Sequence, residues 1–314
     1  MANFRIRHSD RLEQVKIYTG KLFRMFVFQN DWKLLPMAAI IAGAVAFVTG
    51  KNMFKTMEGT AVGALALTCI CLWNGFFNSI QVICRERPII KREHRAGLHI
   101  SAYIFAHIIY QAFLCVLQSV ITLGVCMAAK MTFPSEGFLT DWFLLDMGIT
   151  LFLITFAADM LSLLVSSFVK NTTAAMTVMP FLLIFQFLFS GTVFPHSGAA
   201  AKVEDYTITK WGMDCICAQS DYNSQPMVSA WNQMFKFRNA EINGQKPIKE
   251  FVKYMEDNDL VETFEYETAQ YNLKDEYEKS VGNIIGCWMA LIIMSIAFII
   301  LATISLEFID HDKR

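Results

Sequence analysis

Arg85-Glu86-Arg87-Pro88-Ile89-Ile90-Lys91-Arg92-Glu93-His94-Arg95-Ala96-Gly97 separates two long apolar segments, 60–84 and 102–129. Arg85, Arg87, Lys91, Arg92 and Arg95 place five cations in eleven residues. Such a run has no place in hydrocarbon, where one Arg or Lys costs roughly 2.5–3.5 kcal/mol at the bilayer centre on insertion scales. It reads as a loop or short helix at a membrane face. Short loops rich in Lys and Arg stay in the cytoplasm, so the run marks that face and is open to a cytosolic partner.

The rest of the chain agrees with a membrane setting. Its 314 residues include 27 Phe, and only 18% are charged, against roughly 25% in soluble domains. Mean hydropathy is +0.38. The apolar residues are blocked, and a span needs about 20 of them in succession. Six segments qualify: 34–50, 60–84, 102–129, 142–169, 172–195 and 284–306. The expected fold is an all-α polytopic membrane protein with six transmembrane helices. Its parts are an N-terminal cytoplasmic segment (1–33), helices one to five with the basic loop (34–195), an outer segment (196–283), and helix six with a cytoplasmic tail (284–314).

Residues 9–29 predict an interfacial helix, with Leu12, Val15, Thr19, Leu22, Phe23, Phe26 and Val27 on one stripe and Arg11, Gln14, Lys21 and Arg24 off it. Trp32 suits the aromatic belt. With six spans, both termini, the 85–101 loop and the 170–173 link share the basic, cytoplasmic side. The 196–283 stretch carries 9 Lys/Arg against 15 Asp/Glu and falls outside by parity. The N-terminus is polar for over 30 residues and shows no signal-peptide pattern.

Six of the eight Cys (Cys69, Cys71, Cys84, Cys115, Cys126, Cys287) lie in or at spans and read as small apolar residues. A bond between Cys215 and Cys217, two residues apart, would be strained. Gly59-x-x-x-Gly63 opens the second span and is a weak signal for close helix packing.

The chain contains no Gly-x-x-x-x-Gly-Lys-Ser/Thr phosphate loop, no His-Glu-x-x-His, no paired Cys-x-x-Cys and no Gly-x-Ser-x-Gly. It has no nucleotide or metal chemistry of its own by motif, and no cofactor is expected on it. Polar residues inside spans are the remaining candidates. Asn74, Asn78 and Gln81 share one helical face, as do His107, Gln111 and Gln118. Each face either packs on a neighbouring helix or lines a wet cavity. Asp159 is the one acid deep in a span, read as an ion-coupling acid or as a carboxyl hydrogen-bonded near Ser162 and Ser166.

Four motifs together resemble a known family. They are Arg85–Gly97 followed by Ser101-Ala102-Tyr103; Met179-Pro180 through Gln186, then Phe189-Ser190-Gly191-Thr192-Val193-Phe194-Pro195; Thr207-Ile208-Thr209-Lys210-Trp211-Gly212-Met213-Asp214; and Tyr277–Asn283 followed by Trp288. The chain resembles the membrane domain of ABCG-like (type 2) ABC exporters from about residue 10 to 308, least across 222–270. It looks most like the bacterial branch whose ATPase often carries a forkhead-associated domain. The resemblance implies a cytoplasmic coupling helix at 85–101 that docks on an ATPase, with Glu86, Arg92, Glu93 and His94 in that role. It implies a substrate cavity between two membrane halves, lined by Asn74, Phe77, Asn78, Ile184 and Phe187. Thr192 and Val193 would form an outer gate, and 196–220 re-entrant helices beneath an extracellular lobe.

The implied partners are a separate ABC ATPase subunit, since no ATPase is fused here, and a second membrane subunit, identical or not. ATP and Mg would sit on the ATPase. The setting is a bacterial plasma membrane, multi-pass, with no nucleic acid. The chain would be a transport subunit, not an enzyme by itself. Asp159 departs from the family, which has a small or apolar residue there. Two other classes stay open: an ion-coupled secondary transporter using Asp159, and a membrane sensor or assembly factor whose outer lobe binds a ligand.

Overall fold

Four helix starts in this chain are written as Asn, Ser or Thr. Asn171, Thr56, Thr207 and Ser280 each turn a side-chain oxygen onto a first-turn N–H, at 2.7 Å for Asn171 and 3.1 Å for Thr56. The computed structural model describes residues 10–28, 31–50, 52–134, 136–191, 198–241 and 245–308. Among these there are helices and turns but no strand.

The helices are α1 (Arg11–Phe28), α2 (Leu34–Thr49), α3 (Met57–Ser79), α4 (Val82–Arg95), α5 (Ile100–Ala128), α6 (Phe143–Phe168) and α7 (Thr172–Leu188). After them come α8 (Ala199–Glu204), α9 (Ile208–Gln219), α10 (Ser229–Phe237), α11 (Pro247–Asp257), α12 (Val261–Ala269) and α13 (Val281–Glu307). Four helical stretches are long and apolar enough to cross a membrane: Met57–Arg95, in which α4 continues α3, Ile100–Ala128, Phe143–Phe168 and Val281–Glu307. The other two expected spans, α2 and α7, are apolar but have 16 and 17 residues. At 1.5 Å per residue each covers about 25 Å, short of the ~30 Å hydrocarbon core.

Helices α3, α6, α9 and α13 make the core, with α5 and α2 packed beside α3. Gly75 sets the α3–α6 approach. A Cβ there would stand 2.4 Å from the Thr155 carbonyl oxygen and 2.7 Å from the Asp159 nitrogen. Gly59 and Gly63, the pair expected to pack helices, instead face the Asn52-Met53 turn. On α2 the buried stripe is Ala38, Ala42 and Ala46, whose small side chains permit close approach to the neighbouring helices.

The bundle has two distinct ends. At one, α4 packs on the C-terminal turn of α6, and the hydrophobic cluster around Ile90 also holds Leu306, near the end of α13. At the other, the outer segment grips the starts of α3 and α6. Met57 N donates to Pro226 O at 3.1 Å, and Glu58 accepts from Ser229 N at 2.8 Å. Gln219 Nε2 donates to Thr150 Oγ1 at 2.9 Å. Both short apolar helices reach from one end to the other. Leu34 at the start of α2 packs with the α1 cluster, and Gly50 just past its end sits against Met131. Gln186 near the end of α7 accepts from Ile208 N at the head of α9, at 2.9 Å.

The outer segment includes one helix that is almost wholly buried. In α9 all but Lys210 and Trp211 are buried, including Cys215 and Cys217. A helix buried on nearly every side is one surrounded by others. Its 12 residues span about 18 Å, too short to cross. The eight cysteines are all free; Cys215 packs with Ile284 and Cys287 of α13 rather than pairing with Cys217. Beyond α9, Trp231, Phe251 and Phe264 form a partly exposed aromatic cluster joining α10–α12, whose buried residues are Val252, Met255 and Ala269.

Candidate functional site

The basic run folds as α4, which begins at Val82, three residues before the first Arg and inside the second expected span. Gln81, expected on a transmembrane face with Asn74 and Asn78, is instead the residue preceding α4. The first turn of a helix leaves N–H groups with no acceptor in the helix. Here Ser166 of α6 supplies it: Ile83 N and Cys84 N donate to its Oγ at 3.1 and 3.2 Å. The reciprocal end is capped too. Arg87 Nη1 donates to Ser167 O at 2.7 Å and Val169 O at 3.4 Å, satisfying carbonyls at the end of α6 and setting a cation at its negative dipole end.

The acids of α4 also turn inward. Glu86 is buried, accepts from Tyr103 Oη of α5 at 3.3 Å and pairs with Lys21 of α1 at 3.6 Å. Glu93 accepts from Tyr18 Oη of α1. Burial, then the bond to Glu93, holds the Tyr18 phenol well above its usual range. His94 Nδ1 lies 3.0 Å from Leu98 O within the following turn, where Gly97 takes φ +107°. Gln14 of α1 closes the corner, donating to Gly97 O at 3.2 Å and accepting from His99 N at 2.9 Å. Side chains of α1, α5 and α6 thus clasp one face of α4.

The opposite face is open. Pro88, Ile89, Arg92 and Ala96 are exposed at helical spacing. Of the four residues expected at a partner interface, only Arg92 points outward; Glu86, Glu93 and His94 hold the corner together. Ile89 was not singled out from sequence, although its spacing from Arg92 and Ala96 would have found it.

A second polar cluster lies in the bundle between α3, α5 and α6. Asn78 and Gln118 exchange a reciprocal amide pair, both bonds at 2.9 Å. Asn78 Nδ2 also reaches Asp159 Oδ2 at 3.3 Å, and Cys115 Sγ lies 3.5 Å from the same oxygen. Asp159 Oδ1 has no partner among the described residues. The serines expected beside Asp159 serve elsewhere: Ser162 donates to Phe76 O at 2.9 Å, and Ser166 caps α4. Gln111 Nε2 donates to Ser79 Oγ at 2.7 Å. So Gln111 and Gln118 are packing residues at least in part, while His107 and Gln111 also border a cavity.

The expected substrate residues fall into two groups. Asn74 and Phe77 line a small cleft with Leu34 and Met37, and Phe77 and Asn78 line the larger cavity beside it. Ile184 and Phe187 are 54% and 38% exposed on α7 and line neither. Thr192 and Val193 lie outside the described residues. No group of three or more His, Cys, Asp or Glu positioned for a metal occurs among the described residues.

Comparison with known proteins places the chain in a family. The ABC-2 type transporter family matches residues 13–201. An ABC transporter ATP-binding/permease protein of Mycobacterium tuberculosis is 26% identical over 229 residues, covering 68% of this chain and 26% of that protein. The chain thus spans about a quarter of the length of that relative.

Proposed function

This chain belongs to the ABC-2 type transporter family, and from that premise we propose that it is the membrane subunit of an ATP-driven exporter of the ABCG-like type. The family forms the membrane part of ABC transporters and is not an enzyme by itself. These 314 residues contain no phosphate loop, so the nucleotide site lies outside them. In our reading an ABC ATPase on a separate subunit binds ATP and Mg and docks on α4. The mycobacterial relative is described as ATP-binding and permease in one protein, which supports the pairing of functions. The forkhead-associated branch is the closest fit to the sequence motifs.

The observation that carries the reading is the two-sidedness of α4. Its inner face is bonded to α1, α5 and α6; its outer face offers Ile89 between Pro88 and Arg92. A body pressed on that stripe moves three other helices with it, because packed elements transmit displacement as rigid units. We read α2 and α7 as the two further crossings, since each reaches from the α4 end to the α9 end. That gives six crossings and places the outer lobe opposite the ATPase. Two copies, or this chain and a related one, would enclose the export path, with Asn74, Phe77 and Asn78 on its wall and the exposed Ile184 and Phe187 facing a second membrane half. Thr192 and Val193 would close its outer end. An amphipathic substrate suits the mixture of amide and phenyl groups.

Co-purification from the native membrane tests this. The expected result is an associated ATPase, with ATP-dependent uptake of substrate into inverted vesicles. Ile89→Asp with Arg92→Glu should release the ATPase by at least tenfold in affinity while the chain melts normally. Retained binding in that variant, or transport without ATP, would overturn the assignment.

A further inference from the structure

A cavity of about 310 Å³ lies where α1, α2, α3, α4 and α5 meet. That is within the roughly 300–1,000 Å³ of small-molecule sites. Leu22, Leu34, Met37 and Leu114 give it an apolar wall, and Lys33 and Arg85 give it charge. Neither cation has a carboxylate partner among the described residues, whereas the one acid on the wall, Glu86, is engaged by Lys21 and Tyr103. The free charge of the cavity is therefore positive.

Its polar wall is unsatisfied as well. His107 is 1% exposed, and both its ring nitrogens lack a hydrogen-bond partner among the described residues; Gln111 Oε1 lacks one too. A neutral imidazole offers one donor and one acceptor, and a buried polar group left unpaired costs about 1–3 kcal/mol. His107 sits seven residues into α5, about 10 Å along the helix. The charged groups, at the head of α2 and in the first turn of α4, are nearer the membrane face. From face to interior the cavity thus presents cations, then hydrogen-bonding groups, beside a wall of aliphatic side chains.

We propose that this cavity binds an anionic glycerolipid, with its phosphate against Lys33 and Arg85, its ester region at His107 and Gln111, and part of one acyl chain along Leu22, Met37 and Leu114. The ester carbonyl accepts from the imidazole N–H, and a lipid hydroxyl or bound water donates to the remaining acceptors. Phe77 and Asn78 also line this cavity, so the site borders the proposed export path; lipid binding is tested with no ATPase present, where its failure is distinct from a failure of transport.

Native mass spectrometry of the purified chain, delipidated and then returned to phosphatidylglycerol, phosphatidylcholine or inorganic phosphate, gives the answer. The expected result is one phosphatidylglycerol retained per chain and a raised melting temperature with that lipid. Lys33→Gln with Arg85→Gln should weaken retention at least tenfold. Met37→Trp, at a half-exposed position of the apolar wall, keeps both cations and should weaken it similarly, and both variants should melt like the wild type in lipid-free detergent. Equal retention of phosphatidylcholine would show an uncharged lipid groove. Equal protection by inorganic phosphate would show an anion site without a chain, and no retention by the wild type would show a cavity filled by water. Each of these, or unchanged retention in both variants, overturns the proposal.

Discussion

Ser162 and Ser166 stand one turn apart on α6, both fully buried, and their replacement by alanine should have unequal effects. Ser166 Oγ accepts from two N–H groups, of Ile83 and Cys84, in the first turn of α4. Ser162 Oγ donates to Phe76 O, a carbonyl that already accepts from Ile80 N at 3.1 Å. Ser162→Ala removes a surplus bond, worth about 0.5–1.5 kcal/mol. Ser166→Ala strands two buried donors at about 1–3 kcal/mol each, so it should cost about 2–6 kcal/mol. Denaturation in detergent measures the global difference, and hydrogen exchange measures the local one. A local loss of about 2.8 kcal/mol corresponds to exchange roughly 100-fold faster at Ile83 and Cys84. Equal effects of the two variants, or unchanged exchange at those amides, would refute the capping role of Ser166.

Gly75→Ala should destabilise by about 1–3 kcal/mol through overpacking against Thr155 O, whereas Gly286→Ala, with nothing within 4 Å, should be neutral or slightly stabilising in a thermal melt. Glu58→Gln should weaken the N-terminal capping of α10 by about 1 kcal/mol and speed limited proteolysis of the outer segment. Asp214 in α9 has its pKa pushed up to about 8, first by burial and then by the Glu276 carboxylate. Its native state favours the protonated form, so the contribution is full below about pH 4, near the unfolded carboxyl pKa, and is lost as pH rises through about 8. Melting curves from pH 5 to 9 should slope downward for the wild type and flatten in Asp214→Asn.

Much of the architecture was legible because burial in lipid leaves a one-dimensional trace. Apolar blocks located α3, α5, α6 and α13, and charge located α4. The trace fails where length or context decides. The sixteen residues of α2 fall short of the hydrocarbon thickness, so composition alone does not decide a crossing there, and the burial of α9 comes from the helices around it, which no local pattern shows. At α4 the sequence showed which residues carry charge but not which way they face. Glu86 and Glu93 looked available to a partner and are bonded to Tyr103, Lys21 and Tyr18, because their binding helices lie far away in the chain. Ser166 reads in the sequence only as a neighbour of Asp159, since a cap contributed across two helices has no local pattern.

The division of α4 into a bonded side and a bare side has a consequence for how such a subunit diversifies. Substitutions at Pro88, Ile89, Arg92 or Ala96 meet no neighbour needed for folding, so they are free to follow changes in whatever body rests there. Substitutions at Glu86, Arg87 or Glu93 disturb the scaffold first. If a motor docks on that bare side as proposed, fidelity between membrane subunit and motor is portable: grafting the four bare positions from one such chain to another should redirect which motor it engages, with its own interior left as it was.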